Sequence, residues 1–127
     1  MIGPFLLDTS TILWALASPQ QLSPAATRAI DSGVLVMSVV SYWEVMVKSK
    51  KGQLSIGDPV SWWNRAKEDL TAEVLSIRAN HVSALNGLPD HHKDPFDRML
   101  IGQAIADGLT LITSDAWIQR YPVKTRW

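Results

Sequence analysis

The chain contains no cysteine. A disulfide scaffold, a thiolate zinc site and a cysteine nucleophile are therefore excluded. Long apolar runs are missing too. The longest, Val34 to Val40, includes Ser38 and is far too short to span a bilayer. The N-terminal apolar run has no basic region before it and stops at Asp8, unlike a signal peptide. The expectation is a cytoplasmic protein with no membrane segment. Net charge is also absent, because twelve Lys and Arg balance twelve Asp and Glu. That balance argues against the broad basic surface first sought in a nucleic-acid binder. What is present is a hydrophobic fraction of 46%, too high for a disordered chain. A length of 127 residues predicts a single domain over residues 1–127.

Three short apolar runs read as buried strands: Phe5 to Leu7, Val34 to Met37 and Leu109 to Thr113. Each is nearly continuous, as expected for a parallel sheet covered on both faces. Ala72 to Ile77 is a weaker strand candidate. Helical patterns lie between them. Thr11 to Ala17 has helical spacing. Ser23-Pro24 opens a helix that Gly33 closes. Ser41 to Lys51 forms an amphipathic helix ending in lysines and Gly52. Asp58-Pro59 starts a helix through Trp62, Trp63 and Ala66. Asp94-Pro95 starts the last long one, from Phe96 to Asp107, before Gly108. This alternation predicts an α/β fold of three layers, with a mainly parallel central sheet.

Four acidic residues occupy comparable places in that scheme. Asp8 follows the first strand, and Asp115 lies just beyond the strand 109–113. Asp97 is in the first turn of the helix feeding that strand, and Glu44 is near the start of the helix after the second strand. Ligands of open parallel sheets bind outside the carboxyl ends of the strands. The four carboxylates are thus expected to converge. Clustered carboxylates repel one another and favour a cation among them. Oxygen ligands without thiolate suit Mg²⁺ or Mn²⁺, which can assist phosphodiester hydrolysis. Each acid also has a local reading. Asp8, Asp94 and Asp115 can cap helices, and Glu44 can complement a helix dipole.

Leu6-Leu7-Asp8-Thr9-Ser10, Ser41-Tyr42-Trp43-Glu44-Val45, His92-Lys93-Asp94-Pro95-Phe96-Asp97-Arg98 and Thr113-Ser114-Asp115 occur in this order. On these segments the chain resembles the PIN-domain nucleases, most closely the VapC toxins of type II toxin–antitoxin pairs. The resemblance implies an α/β/α PIN-like fold and an Mg²⁺- or Mn²⁺-dependent endoribonuclease. It implies an RNA substrate, a cognate antitoxin and a homodimer. Its acidic ligands and catalytic residues fall on Asp8, Glu44, Asp97 and Asp115, and it leaves Asp94 as the helix cap.

Thr113, Thr9, Ser114 and Arg98 are candidates to orient carboxylates, water or substrate phosphate. Turn bonding for the hydroxyls and an ordinary ion pair for Arg98 are the competing readings. His92 is on the shared segment but is assigned no catalytic part. Lys48, Lys50 and Lys51 suit either an RNA backbone or a helix C-terminus. Trp43 is expected in the core, and Trp62 and Trp63, about 100° apart on one helix, are expected to face different layers. Two rival functions remain: a receiver-like Mg²⁺-binding signalling domain and a catalytically inert, partner-binding PIN domain. Setting the four proposed ligands aside leaves eight acids against twelve bases. Overall neutrality is therefore compatible with an acidic pit in a modestly basic surface.

Overall fold

The computed structural model describes residues 3–127. Strands β1 (Phe5–Leu7), β2 (Leu35–Ser38), β3 (Glu73–Leu75), β4 (Thr110–Ile112) and β5 (Thr125–Arg126) form one sheet. Their order is β3-β2-β1-β4-β5, and every pairing is parallel. Helices α1 (Thr9–Ala17), α2 (Pro24–Ser32), α3 (Val39–Lys50), α4 (Pro59–Leu70), α5 (Ala79–Ala84) and α6 (Pro95–Asp107) connect them. No helix among the described residues is long and apolar enough to cross a membrane.

Side chains alternate across the pleat and so build a core on each face of the sheet. Phe5, Leu7, Leu35, Met37 and Ile112 join Ile12, Ala26, Ala29 and Ala66 from α1, α2 and α4 on one face. Leu6, Val36 and Leu111 meet Leu100, Ile101 and Ala104 of α6 on the other. Helix α3 serves both, with Val45 in the first core and Val40 in the second. The result is the α/β/α arrangement that the alternating pattern predicts.

Several local expectations need correction. Helix α3 starts at Val39, two residues early, because the Ser38 hydroxyl caps it by accepting the Val40 N–H at 3.0 Å. Val39 and Val40 therefore belong to the helix, although they continue the apolar run of β2. Glu44 moves into the second turn, so complementing the helix dipole does not account for it. Trp43 is 56% exposed, not in the core. Val40, Ser41, Glu44 and Val45 occupy the inward side of α3, and Trp43 rests edge-on against Phe96 at 4.8 Å. Trp62 and Trp63 do not separate into different layers, and both are buried in the same core. Leu54 and Ile56, from the connection before α4, pack against that core and widen its cover. Trp63 also stacks on Tyr42, with ring centroids 4.7 Å apart.

Two elements carry no clear sequence signal. Strand β5 has only two residues. Helix α5 has six, and buried polar bonds help fix it to α6. His81 is fully buried, with Nδ1 accepting the Arg78 N–H at 3.0 Å and Nε2 3.1 Å from Asp107. Because Nδ1 accepts, the ring proton sits on Nε2 and is donated to Asp107.

Close packing between α2 and β1 gives a stability prediction. A Cβ added at Gly33 would lie 2.4 Å from the Ala29 carbonyl oxygen and 2.6 Å from the Phe5 ring. The carbonyl is backbone and Phe5 is fully buried, so neither can swing aside. Gly33→Ala is expected to destabilise the fold by about 1–3 kcal/mol in urea denaturation. Unchanged stability would show that the α2–β1 junction relaxes freely.

Candidate metal centre

The parallel register builds the centre. Leu7 pairs with Ile112, so the next residues, Asp8 and Thr113, emerge side by side at the carboxyl ends of β1 and β4. The connections from β1 and β4 depart in opposite directions across the sheet, which opens a crevice at this point. A cavity of about 420 Å³ occupies it. Asp8, Glu44, Asp97 and Asp115 all line that cavity. They come from four separate segments and span more than a hundred residues of sequence.

Each carboxylate is held by specific bonds. Asp8 Oδ1 accepts the Thr11 N–H at 2.7 Å, which caps α1, and Oδ2 accepts the Thr113 hydroxyl. Helix capping and placement in the cavity are thus not alternatives for Asp8, because the cap fixes the side chain's direction. Glu44 Oε1 accepts the Thr9 hydroxyl at 2.7 Å, and Oε2 is 2.6 Å from the Lys48 ammonium. Asp115 Oδ1 accepts the N–H groups of Trp117 and Ile118 at 2.7 and 3.2 Å. Its own N–H donates to Thr113 Oγ1 at 3.0 Å, so Thr113 joins the Asp8 and Asp115 segments. Asp97 is restrained by His92, whose Nε2 is 3.1 Å from Oδ2.

Crowding shows in the ionisation of the acids. Asp97 is pushed up from 3.8 to about 7. Burial is the largest cause, followed by repulsion from Asp94, Glu44, Asp115 and Asp8. Burial also raises Asp8, against the lowering effect of its bonds from Thr11 and Thr113. Lys48 is shifted upward, chiefly by its hydrogen bond to Glu44.

The structure adds residues to those expected from sequence. Asp94 caps α6, accepting the N–H groups of Phe96 and Asp97 at 2.9 and 3.1 Å, yet it also lines the cavity. His92, Asp94 and Asp97 offer ligand atoms all within 4.8 Å of one another, a tighter set than the expected quartet. The spacing His-x-Asp-x-x-Asp was legible, but whether its histidine turned inward was not. Lys48 lines the cavity, whereas Lys50 and Lys51 are exposed. Ser114 lies at the rim. Arg98 is the residue the structure moves elsewhere. It does not line the cavity, and its Nη1 donates to the carbonyls of Pro89 and His92 at 2.8 and 3.3 Å. It fastens the loop that carries His92, with Tyr121 accepting the His92 N–H at 2.8 Å.

The donor set fits a hard divalent cation. Five carboxylates line the cavity against one ammonium. No thiolate is present, and the repulsion that adds to burial in raising Asp97 is the kind a cation relieves. A larger cleft of about 610 Å³ beside α2 and β3 has no such character. Its acids, Asp31, Asp69 and Glu73, are all solvent-exposed.

The model of the PIN domain family matches residues 5–124, nearly the whole chain. The chain belongs to the PIN-domain family. It is 31% identical over 114 residues to ribonuclease VapC22 of Mycobacterium tuberculosis, covering 87% of this chain and 85% of that one. Among solved structures it is similar to VapBC2 from Rickettsia felis bound to a promoter DNA fragment. That match has a TM-score of 0.72 at 15% identity over 99% of this chain and 98% of the other. A toxin–antitoxin complex from Klebsiella pneumoniae aligns with a TM-score of 0.59 at 20% identity, covering 87% and 85%. These structural likenesses show the PIN fold. Membership displaces the receiver-like reading, and the remaining question is what this PIN domain's carboxylates do.

Proposed function

We propose that the chain is an endoribonuclease dependent on Mg²⁺ or Mn²⁺, and the toxin of a toxin–antitoxin pair. The observation that carries this reading is the convergence of Asp8, Glu44, Asp97 and Asp115 on one cavity at the switch point of a PIN sheet. The relative named as a ribonuclease supports RNA as the substrate. The similarity to toxin–antitoxin structures supports an antitoxin partner, and a homodimer is proposed with it.

Asp8, Glu44, Asp97 and Asp115 would hold the cation, with Asp94 and His92 close enough to join or steady the set. A divalent cation there supplies Lewis acidity, which withdraws charge from phosphoryl oxygens and makes an attacking water more acidic. The residues of the chain prepare the site for it. Thr9 and Thr113 hold one oxygen each of Glu44 and Asp8, which fixes the orientation of both carboxylates. Asp97 would hold the cation as its anion and so would give up its proton on loading. The raised pKa places that loss near neutral pH. Ser114, at the rim, would meet the substrate.

The test is RNA cleavage by the purified chain with Mg²⁺, with Mn²⁺ and with excess chelator. Cleavage is expected with either ion and none with chelator, returning when the ion is restored. Cleavage that persists in chelator would overturn the proposal. No cleavage of any RNA with either ion, by protein that still binds an antitoxin, would favour the inert partner-binding reading.

A further inference from the structure

The four-acid reading leaves Lys48 without a role. It stands one helical turn after Glu44 on α3, with Nζ 2.6 Å from Glu44 Oε2. Pairs at this spacing on exposed helix surfaces are commonplace. This one differs in three respects. Glu44 is buried, its side chain 5% exposed, whereas that of Lys48 is 39% exposed. The other Glu44 oxygen is already taken by Thr9, so Lys48 occupies the carboxylate oxygen that Thr9 leaves open. Lys48 is also the only lysine or arginine lining the cavity among the described residues. Its ammonium is attracted by Asp94 and Asp97 on the facing helix as well as by Glu44.

We infer that Lys48 is a phosphate-binding residue of the centre, exchanged between Glu44 and the RNA backbone. An ammonium and a divalent cation that share one carboxylate compete for it, because their charges repel at close range. Glu44 cannot follow Lys48 outward, since it is buried and bonded to Thr9. Lys48 can move, since its stem is flexible and its head reaches solvent. Displaced by a cation, the ammonium stays at the mouth of the cavity, where a phosphodiester bound to the centre presents its non-bridging oxygens. A compact point charge with three donors suits that contact. The inference rests on the proposed nuclease reading and adds to it a substrate-binding group that the acidic quartet lacks.

Wild type, Lys48→Met and Lys48→Arg separate the two halves of the exchange. Mn²⁺ binding is measured first by calorimetry, without RNA, on protein stripped with chelator and dialysed. Lys48→Met is expected to bind Mn²⁺ about tenfold more tightly, because the competing charge is gone, and Lys48→Arg to bind like wild type. At saturating Mn²⁺, cleavage of a fluorogenic single-stranded RNA is then followed. Lys48→Met is expected to raise KM about tenfold with kcat within about threefold, and Lys48→Arg to restore KM. The dependence of KM on salt is expected to weaken in Lys48→Met, as for loss of one phosphate contact. Unchanged or weaker Mn²⁺ binding by Lys48→Met would overturn the competition. Tighter Mn²⁺ binding with unchanged KM would overturn the phosphate contact. If wild type itself binds no Mn²⁺ and cuts no RNA, the nuclease reading fails. If it does both and Lys48→Met matches it, only this inference fails.

Discussion

Asp97→Asn is expected to lower divalent-dependent RNA cleavage by at least about a thousandfold, which corresponds to roughly 4 kcal/mol in the transition state. The substitution removes one anionic ligand and keeps the side chain's size. It leaves the architecture alone, because the cap of α6 is Asp94 rather than Asp97, and among the described residues the Asp97 carboxylate is bonded only to His92. The same exchange at Asp8 would be ambiguous, since Asp8 also caps α1 and receives the Thr113 hydroxyl. The metal-free Asp97→Asn protein should therefore be folded, with an unchanged far-ultraviolet dichroism spectrum. It should also melt higher than metal-free wild type at pH 8, where removing one of five crowded charges is a relief. Initial rates on a single RNA at saturating Mn²⁺ provide the measurement. A rate within tenfold of wild type would take Asp97 out of the chemistry.

Much of this was legible because the informative residues sit next to strong local signals. Asp8 terminates an apolar run, Asp97 lies two residues after a proline that starts a helix, and Asp115 follows another apolar run. Strand ends and helix starts can be read from composition, and a parallel sheet gathers them at one edge. Side-chain direction is not read so easily. Arg98 neighbours Asp97 in sequence but lies about 100° around the helix, and it serves the 89–92 loop. Trp43 neighbours Glu44 and lies outside for the same reason. Lys48 and His92 enter the cavity through distances that depend on rotamers and on a loop held by Tyr121, which no spacing in the sequence encodes. Helix α5 escaped because it is short and its anchoring to α6 includes polar bonds to His81, so periodicity gave no warning. The net charge of zero also resolves in space. The acids concentrate in the cavity, where five carboxylates face one ammonium, which leaves bases in excess over the remainder of the chain.

The pH dependence of stability that Asp97 confers is expected to disappear when a saturating divalent cation is added. In the metal-free protein the folded-state pKa of Asp97 is about 7, against an ordinary value of 3.8. Between those values the folded state binds a proton that the unfolded state has released. Stability from this group is therefore complete below pH 4 and is lost as pH rises to about 7. Asp8, raised by burial, contributes with the same sign. Asp58 is lowered by its bonds from Ser61, and its transition lies below this window. The Asp97 contribution is on the order of 2–4 kcal/mol, or roughly 7–15 °C in melting temperature for a chain of this size. Binding of a cation requires the Asp97 anion, so Mn²⁺ affinity should fall up to about tenfold per pH unit below 7. Stabilisation by a fixed Mn²⁺ concentration should accordingly grow from pH 5 to pH 8, while the metal-free protein grows weaker. The comparison that isolates the group is wild type minus Asp97→Asn, melted at each pH with and without Mn²⁺. The metal-free difference should become more negative with rising pH, whereas the difference at saturating Mn²⁺ should stay level over the same range. Parallel metal-free curves for the two proteins would mean that Asp97 does not carry the raised pKa, and a difference that still falls with pH at saturating Mn²⁺ would mean that it does not meet the cation.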